Sequence, residues 1–247
     1  YNGSENFAPG KRWGFFPSAA AGWVISNESF WDGIRKTVSN LKIRVSYGLA
    51  GNDALGERFP YRSIVAMGEE SGFYYNWNSQ GKGPKITTYP NATWEEAKKL
   101  DVGLELGLFN ALNIEAAYFT EDRTGIFMRR TSLPSSTGLL GVTPYGNIGR
   151  VKSHGVDLSA VYNKQFNKDW SLSLRGTFTF SRNEVVEKDE GDLMYDYMSV
   201  VGHPVNAITG VLVADGLFTS QEEIDNSPKQ QFGNYTVGDI KYRDLNG

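Results

Sequence analysis

Strict alternation of apolar and polar residues, renewed in at least six separate segments, constrains this chain more than any other feature. From Leu41 to Leu49 the odd positions are Leu41, Ile43, Val45, Tyr47 and Leu49, and the even ones Lys42, Arg44, Ser46 and Gly48. Val102, Leu104, Leu106 and Leu108 are interleaved with Gly103, Glu105 and Gly107. Leu112, Ile114, Ala116 and Tyr118 repeat the pattern, as do Val156, Leu158, Ala160 and Tyr162. Trp170, Leu172, Leu174, Phe178 and Phe180 alternate with serines, threonines and Arg175. A weaker version runs through Trp13, Phe15, Ala19, Ala21, Trp23 and Ile25. Successive side chains of a strand point to opposite faces, so each segment has one oily and one polar face. Wrapped on a helix, the same period would scatter the apolar groups around the axis. The chain is therefore read as all-β, with strands over 13–25, 41–49, 94–109, 112–127, 149–162 and 170–184.

Composition removes several function classes. The 247 residues contain no cysteine, which excludes disulfide scaffolds, thiol nucleophiles and Cys-ligated metal centres. With 25 Lys+Arg against 28 Asp+Glu the net charge is −3, not the concentrated basic charge of a nucleic-acid footprint. No uninterrupted apolar run is long enough for a transmembrane helix. Mean hydropathy is −0.41, a value that by itself suggests a soluble protein.

The connections change that impression. Asn110-Ala111 reads as a two-residue hairpin turn, 163–169 as a compact polar turn, and 26–40 as a medium connection with room for one helical turn. Three other stretches are long: 50–93, 120–149 and from 181 onward. Followed strand by strand, all the long connections fall at one end and the short ones at the other. That is the layout of an outer-membrane β-barrel. Trp13 and Trp23 share parity ten residues apart. They would lie ~33 Å apart along a strand, or ~25 Å after a 40° tilt, the height of an outer-membrane apolar band. A soluble β-sandwich, such as a carbohydrate-binding module, is the alternative.

Six motifs in order then resemble one family, the SusC/RagA-type TonB-dependent outer-membrane transporters. They are Gly10-Lys11-Arg12-Trp13-Gly14-Phe15-Phe16-Pro17-Ser18 with Ala21-Gly22-Trp23; Leu41 to Gly48 with Gly51-Asn52; and Thr93-Trp94-Glu95-Glu96 with Gly103-Leu104-Glu105. Next come Tyr118 with Arg123-Thr124-Gly125-Ile126, Asn147-Ile148-Gly149 with Gly155-Val156-Asp157, and Gly238 to Gly247. The resemblance implies an antiparallel transmembrane barrel of about 22 strands. Residues 1–247 would be part of that one barrel domain, with the plug domain and closing strands outside this chain. It also implies a multi-pass location in the outer membrane of a Gram-negative bacterium, in contact with its lipid. The implied role is import of an oligosaccharide or peptide beneath a SusD-like surface lipoprotein, energised by TonB through regions outside this chain.

Such transport needs no covalent chemistry, and no nucleophile elbow, HExxH or phosphate-loop motif is present. His154 and His203 are read as structural. Candidate ligand contacts are the aromatics and amides of the long connections: Tyr74, Tyr75, Trp77 and Tyr89, with Phe73, Asn76, Asn78 and Gln80 around them, then Tyr145 and Asn147. Aromatic faces stack on sugar C–H groups and amides bond hydroxyls, although self-packing or contact with the lipoprotein would use the same residues. Glu105, Glu115, Asp157 and Arg175 are expected to line the lumen. No cofactor is expected. Asp244 and Asn246 match the start of a calcium loop, and an ordinary turn fits them equally well.

Overall fold

The computed structural model describes residues 1–56, 58–62, 91–132, 145–193, 196–207, 212–231 and 233–245, together with the backbone of 64–75 and 79–87. The chain forms two compact units, Tyr1–Val205 and Asn206–Gly247. In the first, the strands are β1 (Asn2–Gly3), β2 (Trp13–Gly14), β3 (Ser18–Val24), β4 (Val38–Asn52), β5 (Ile64–Tyr75), β6 (Ser79–Thr87), β7 (Glu95–Leu108), β8 (Leu112–Arg129), β9 (Tyr145–Gln165) and β10 (Ser171–Glu187). Six of them make one antiparallel sheet in the order β10-β9-β8-β7-β4-β3. Among the described residues β5 and β6 pair only with each other, as a hairpin between two neighbouring strands of that sheet.

The expected alternation survives as register. Leu41, Leu106, Ile114 and Ala160 align across four strands, as do Ile43, Leu104, Ala116, Leu158 and Phe178 across five. Every apolar segment therefore contributes to one face. That face is exposed: Ile43, Val45, Leu104, Tyr118, Leu158, Phe178 and Phe180 all stand open. Buried apolar side chains, by contrast, are few. Among the described residues they are Phe7, Leu55, Ala92, Ala97, Ala111, Val185 and Phe218. A sandwich would pack a second sheet on this face, and none lies there among the described residues. An apolar sheet face left open has lipid as its natural solvent.

The strands are longer than a membrane needs. A tilted crossing takes about 9–11 residues, whereas β4, β7, β8, β9 and β10 have 15, 14, 18, 21 and 17. The excess lies at the end from which the long connections leave. There the outward parity changes from Val102 and Tyr118 to Lys98 and Asp122.

Five sequence expectations need correction. The strand expected over 13–25 is broken: Trp13 pairs back to Gly3, and the sheet strand begins only at Ser18. Pro17 lacks an N–H and cannot continue a two-sided ladder, although its carbonyl still accepts from Leu49 N–H at 2.9 Å. The Trp13–Trp23 length check therefore does not describe one strand. The β7–β8 turn is centred on Phe109-Asn110, not Asn110-Ala111. Both residues have positive φ (55° and 53°), as the central pair of a type I′ turn requires, and the buried Ala111 closes the turn by donating its N–H to the Leu108 carbonyl at 3.0 Å. The connection over 50–93 contains β5 and β6, and 26–40 holds two short 3₁₀ turns, Ile25–Asn27 and Ser29–Trp31. At the β9–β10 turn the Asn167 carboxamide oxygen accepts from the N–H groups of Asp169 and Trp170, an Asx turn.

The second unit pairs β11 (Ala214–Leu217) with β12 (Ile240–Tyr242) beside the short helix α1 (Gln221–Asp225). Phe218 is almost fully buried there and stacks on Tyr235 with centroids 5.5 Å apart. Ser220 caps α1 by accepting from Glu223 N–H, and the Glu223 carboxylate accepts from Thr219 N–H in return.

Candidate functional site: the polar face and its rim

The face opposite the apolar one carries the chemistry. Lys42 and Glu105 are cross-strand partners and their side chains meet at 2.8 Å. Arg44 reaches Asp101 at 3.2 Å. Glu121 sits between Lys99 at 3.2 Å and Arg123 at 2.7 Å. Glu115 lies opposite Glu105, so the Lys42 cation offsets a like-charge pair. Asp157 and Arg175 occupy register positions on the same face. All four residues expected on the inner wall thus share one face. Half-exposed pairs of this kind contribute little stability each, about 0–1 kcal/mol. Their effect is to keep long charged side chains flat against the wall.

Glycines on this face serve the same end. A Cβ at Gly103 would run into the Arg44 guanidinium, and one at Gly155 into the Phe119 ring. Because neither glycine has a side chain, Arg44 and Phe119 can lie across the backbone of the neighbouring strand instead of projecting from it.

At the rim, where the long connections leave, one carboxylate and one carboxamide organise the structure. Glu95 is 6 % exposed. Its oxygens accept from Asn52 Nδ2 at 2.8 Å and from Phe127 N–H at 3.0 Å. Asn147 donates to the carbonyls of Thr93 and Gly125 at 2.8 and 2.7 Å and accepts from Thr93 N–H at 3.0 Å. Together these bonds tie the starts of β7 and β9 to the end of β8, around the bulge at Gly125, whose φ is +66°. Phe7, Leu55 and Ala92 pack beside them with Trp94 and Phe127. The segment before β2 is held there by Ser4 Oγ donating to Asp53 and by Arg58 pairing with Glu5. Beyond β10, Glu190 accepts from the Ser199 hydroxyl and from Val200 N–H, which lowers its pKa from the ordinary value despite partial desolvation.

Of the candidate ligand residues, Tyr145 and Asn147 come together at the start of β9, where Tyr145 stacks on Phe127 with centroids 5.5 Å apart. Tyr74 and Tyr75 lie on β5, paired in register with Gln80 and Ser79. Trp77 and Tyr89, with Asn76 and Asn78, fall outside the described residues, as does Asn246. Asp244 follows β12 in the second unit. Among the described residues no group of three or more His, Cys, Asp or Glu is arranged to hold a metal ion, and no helix is long and apolar enough to cross a membrane. His203 works through its main chain, its carbonyl accepting from Val185 N–H. His154 stands exposed on the apolar side, one register step beyond Val156. Sequence reasoning missed Glu95 as a buried anchor. Its only signal is a carboxylate placed just inside an otherwise regular strand, after Thr93-Trp94.

Comparison with known proteins agrees with this geometry. The family model described as TonB dependent receptor-like, beta-barrel matches residues 1–247. TonB-dependent receptor P26 of Formosa agariphila is 30% identical over 258 aligned residues, covering 100% of this chain and 25% of that protein. TonB-dependent receptor SusC of Bacteroides thetaiotaomicron is 26% identical over 198 residues, 78% of this chain and 19% of that protein. Among solved structures, the RagAB peptide importer in its closed-closed state superposes with a TM-score of 0.68 at 21% identity, over 98% of this chain and 26% of the other. In the open-open state the TM-score is 0.69 over 87% of this chain. The structural likeness is one of fold. The chain spans about a quarter of the length of these relatives.

Proposed function

The chain belongs to the TonB-dependent receptor β-barrel family, and on that premise we propose that it forms part of the wall and rim of a transporter importing bulky nutrients, oligosaccharide or peptide. Members of this family are outer-membrane β-barrels and transporters, not enzymes. The observation that carries the proposal is the two-sided sheet: apolar side chains exposed on one face, ion pairs on the other, and every long connection leaving from one end. In an outer-membrane barrel the apolar face meets lipid, the polar face lines the lumen, and the long connections are extracellular. The sheet edges β3 and β10 continue into further strands of a closed barrel, since an open edge cannot rest in hydrocarbon.

Substrate contacts belong on the aromatic-rich extracellular segments, with Tyr74, Tyr75, Trp77, Tyr89 and Tyr145 as stacking surfaces. Asn147 acts there by fixing the start of β9 and so the position of Tyr145. A SusD-like lipoprotein covers the mouth and TonB supplies the energy. The likeness in fold to RagAB, a peptide importer, favours testing peptides alongside oligosaccharides. The test is uptake by cells carrying or lacking the full-length receptor, given labelled oligosaccharide or peptide mixtures, with co-purification of a surface lipoprotein. Receptor-dependent uptake of one class supports the proposal. Equal uptake of both by the two strains would sink it.

A further inference from the structure

The lipid-facing surface changes character where its apolar band ends. On β8, β9 and β10 the continuous apolar band ends at Tyr118, Val156 and Phe180, aligned in one row. The next outward-facing row reads Leu100, Thr120, His154 and Arg182, and the one beyond it Lys98, Asp122, Lys152 and Glu184. Each step is ~7 Å along a strand, so these rows rise through the level at which lipid headgroups follow acyl chains. Lys98, Lys152, His154 and Arg182 are all exposed.

The charges of these rows are not paired one to one. Asp122 is taken up by Arg150 in a two-pronged bond, Nε to Oδ1 at 2.9 Å and Nη2 to Oδ2 at 2.7 Å. Among the described residues no carboxylate lies within ion-pairing distance of Lys98, Lys152 or Arg182. Glu184, opposite Lys152, is the one carboxylate of these two rows not held by an arginine. Three cations therefore stand with unused donors directly above an apolar strip. The Arg182 guanidinium lies 5.9 Å from the centroid of the Phe180 ring, which links the two zones in a single side-chain contact.

We propose that Lys98, Lys152 and Arg182 form a binding site for the anionic, phosphate-bearing headgroup of an outer-leaflet lipid, whose acyl chains lie along Tyr118, Val156 and Phe180. The site rests on the reading above that this end of the sheet faces outward. Cations near an anionic membrane surface attract it individually, and an apolar strip beneath adds acyl contact that a soluble anion lacks. The combination selects a lipid over free phosphate.

The test uses the full-length receptor in nanodiscs or detergent, with native mass spectrometry reading bound lipid against phosphatidylglycerol, phosphatidylcholine and inorganic phosphate. Phosphatidylglycerol should be retained over phosphatidylcholine, and Lys98→Gln, Lys152→Gln and Arg182→Gln should each weaken it about fivefold. Lys98→Arg and Lys152→Arg should keep the preference, which separates lost charge from lost fold. An unchanged preference in the triple Gln variant would overturn the site, and so would inorganic phosphate competing as well as the lipid. Substrate uptake is a separate readout. If uptake is normal while lipid selectivity is absent, this inference fails and the transport reading stands; the reverse result fails transport alone.

Discussion

The two faces of one sheet obey opposite rules although the same backbone carries both. On the outer face Leu104 and Leu158 are exposed and gain from that exposure, because their surroundings are hydrocarbon. On the inner face Lys42 meets Glu105 and Arg44 meets Asp101, and these partly covered side chains are matched in pairs. In a soluble domain these preferences would be exchanged. Stability on the outer face depends on what the solvent is, and on the inner face on which side chains meet.

The sharpest way to break this contrast is to put one charge on each face. Leu104→Arg should cost about 2–4 kcal/mol near the middle of the band, measured by urea titration of the full-length receptor into lipid bilayers. Glu115→Arg, on the other face of the neighbouring strand, should change stability by less than about 1 kcal/mol. Equal costs would mean that the faces are misassigned. The rim comes next in size. Glu95→Ala strands the N–H of Phe127 and the amide of Asn52, a loss of about 1–3 kcal/mol, visible as faster hydrogen exchange at Phe127. Glu95→Gln retains an acceptor and should lose less. Smaller still is the inner-wall pair: a double-mutant cycle on Lys42 and Glu105 should return about 0.2–1 kcal/mol of coupling, shrinking as salt is raised.

The smallest effect contrasts the wall with the C-terminal unit. There Glu223 is pulled from an ordinary 4.5 down to about 2, first by the Thr219 N–H, then by Lys241 and the Thr219 hydroxyl. A carboxylate held lower in the folded state stabilises it above the ordinary value. That contribution drains away as pH falls from about 4.5 toward 2. Fraying of α1, followed by NMR in the full-length protein, should begin in that window, and Glu223→Gln should flatten the response.

Local order in the chain was legible wherever period two was unbroken. Leu41 to Leu49 and Val102 to Leu108 announced their strands and their faces, because a pleated backbone turns alternation directly into two surfaces. Legibility failed where a single residue interrupts the ladder. Pro17 splits a segment whose apolar parity runs on undisturbed, and the turn at Phe109-Asn110 moves by one residue because two positive φ values and a buried Ala111 outweigh the residue preferences. Glu95 was invisible as an anchor, since its burial depends on Asn52 and Phe127, which are distant in sequence and arrive only once β4, β7 and β8 are paired.

What the sequence determined by itself was the all-β class, the division of each strand into an apolar and a polar side, and the family. These follow from local geometry and short motifs. Only the tertiary structure decided which strands are neighbours, that β5 and β6 leave the sheet as their own hairpin, and that the cations of β7, β9 and β10 line up above the apolar band. Register is a relation between strands, set by the pairing of whole segments, and no single segment contains it.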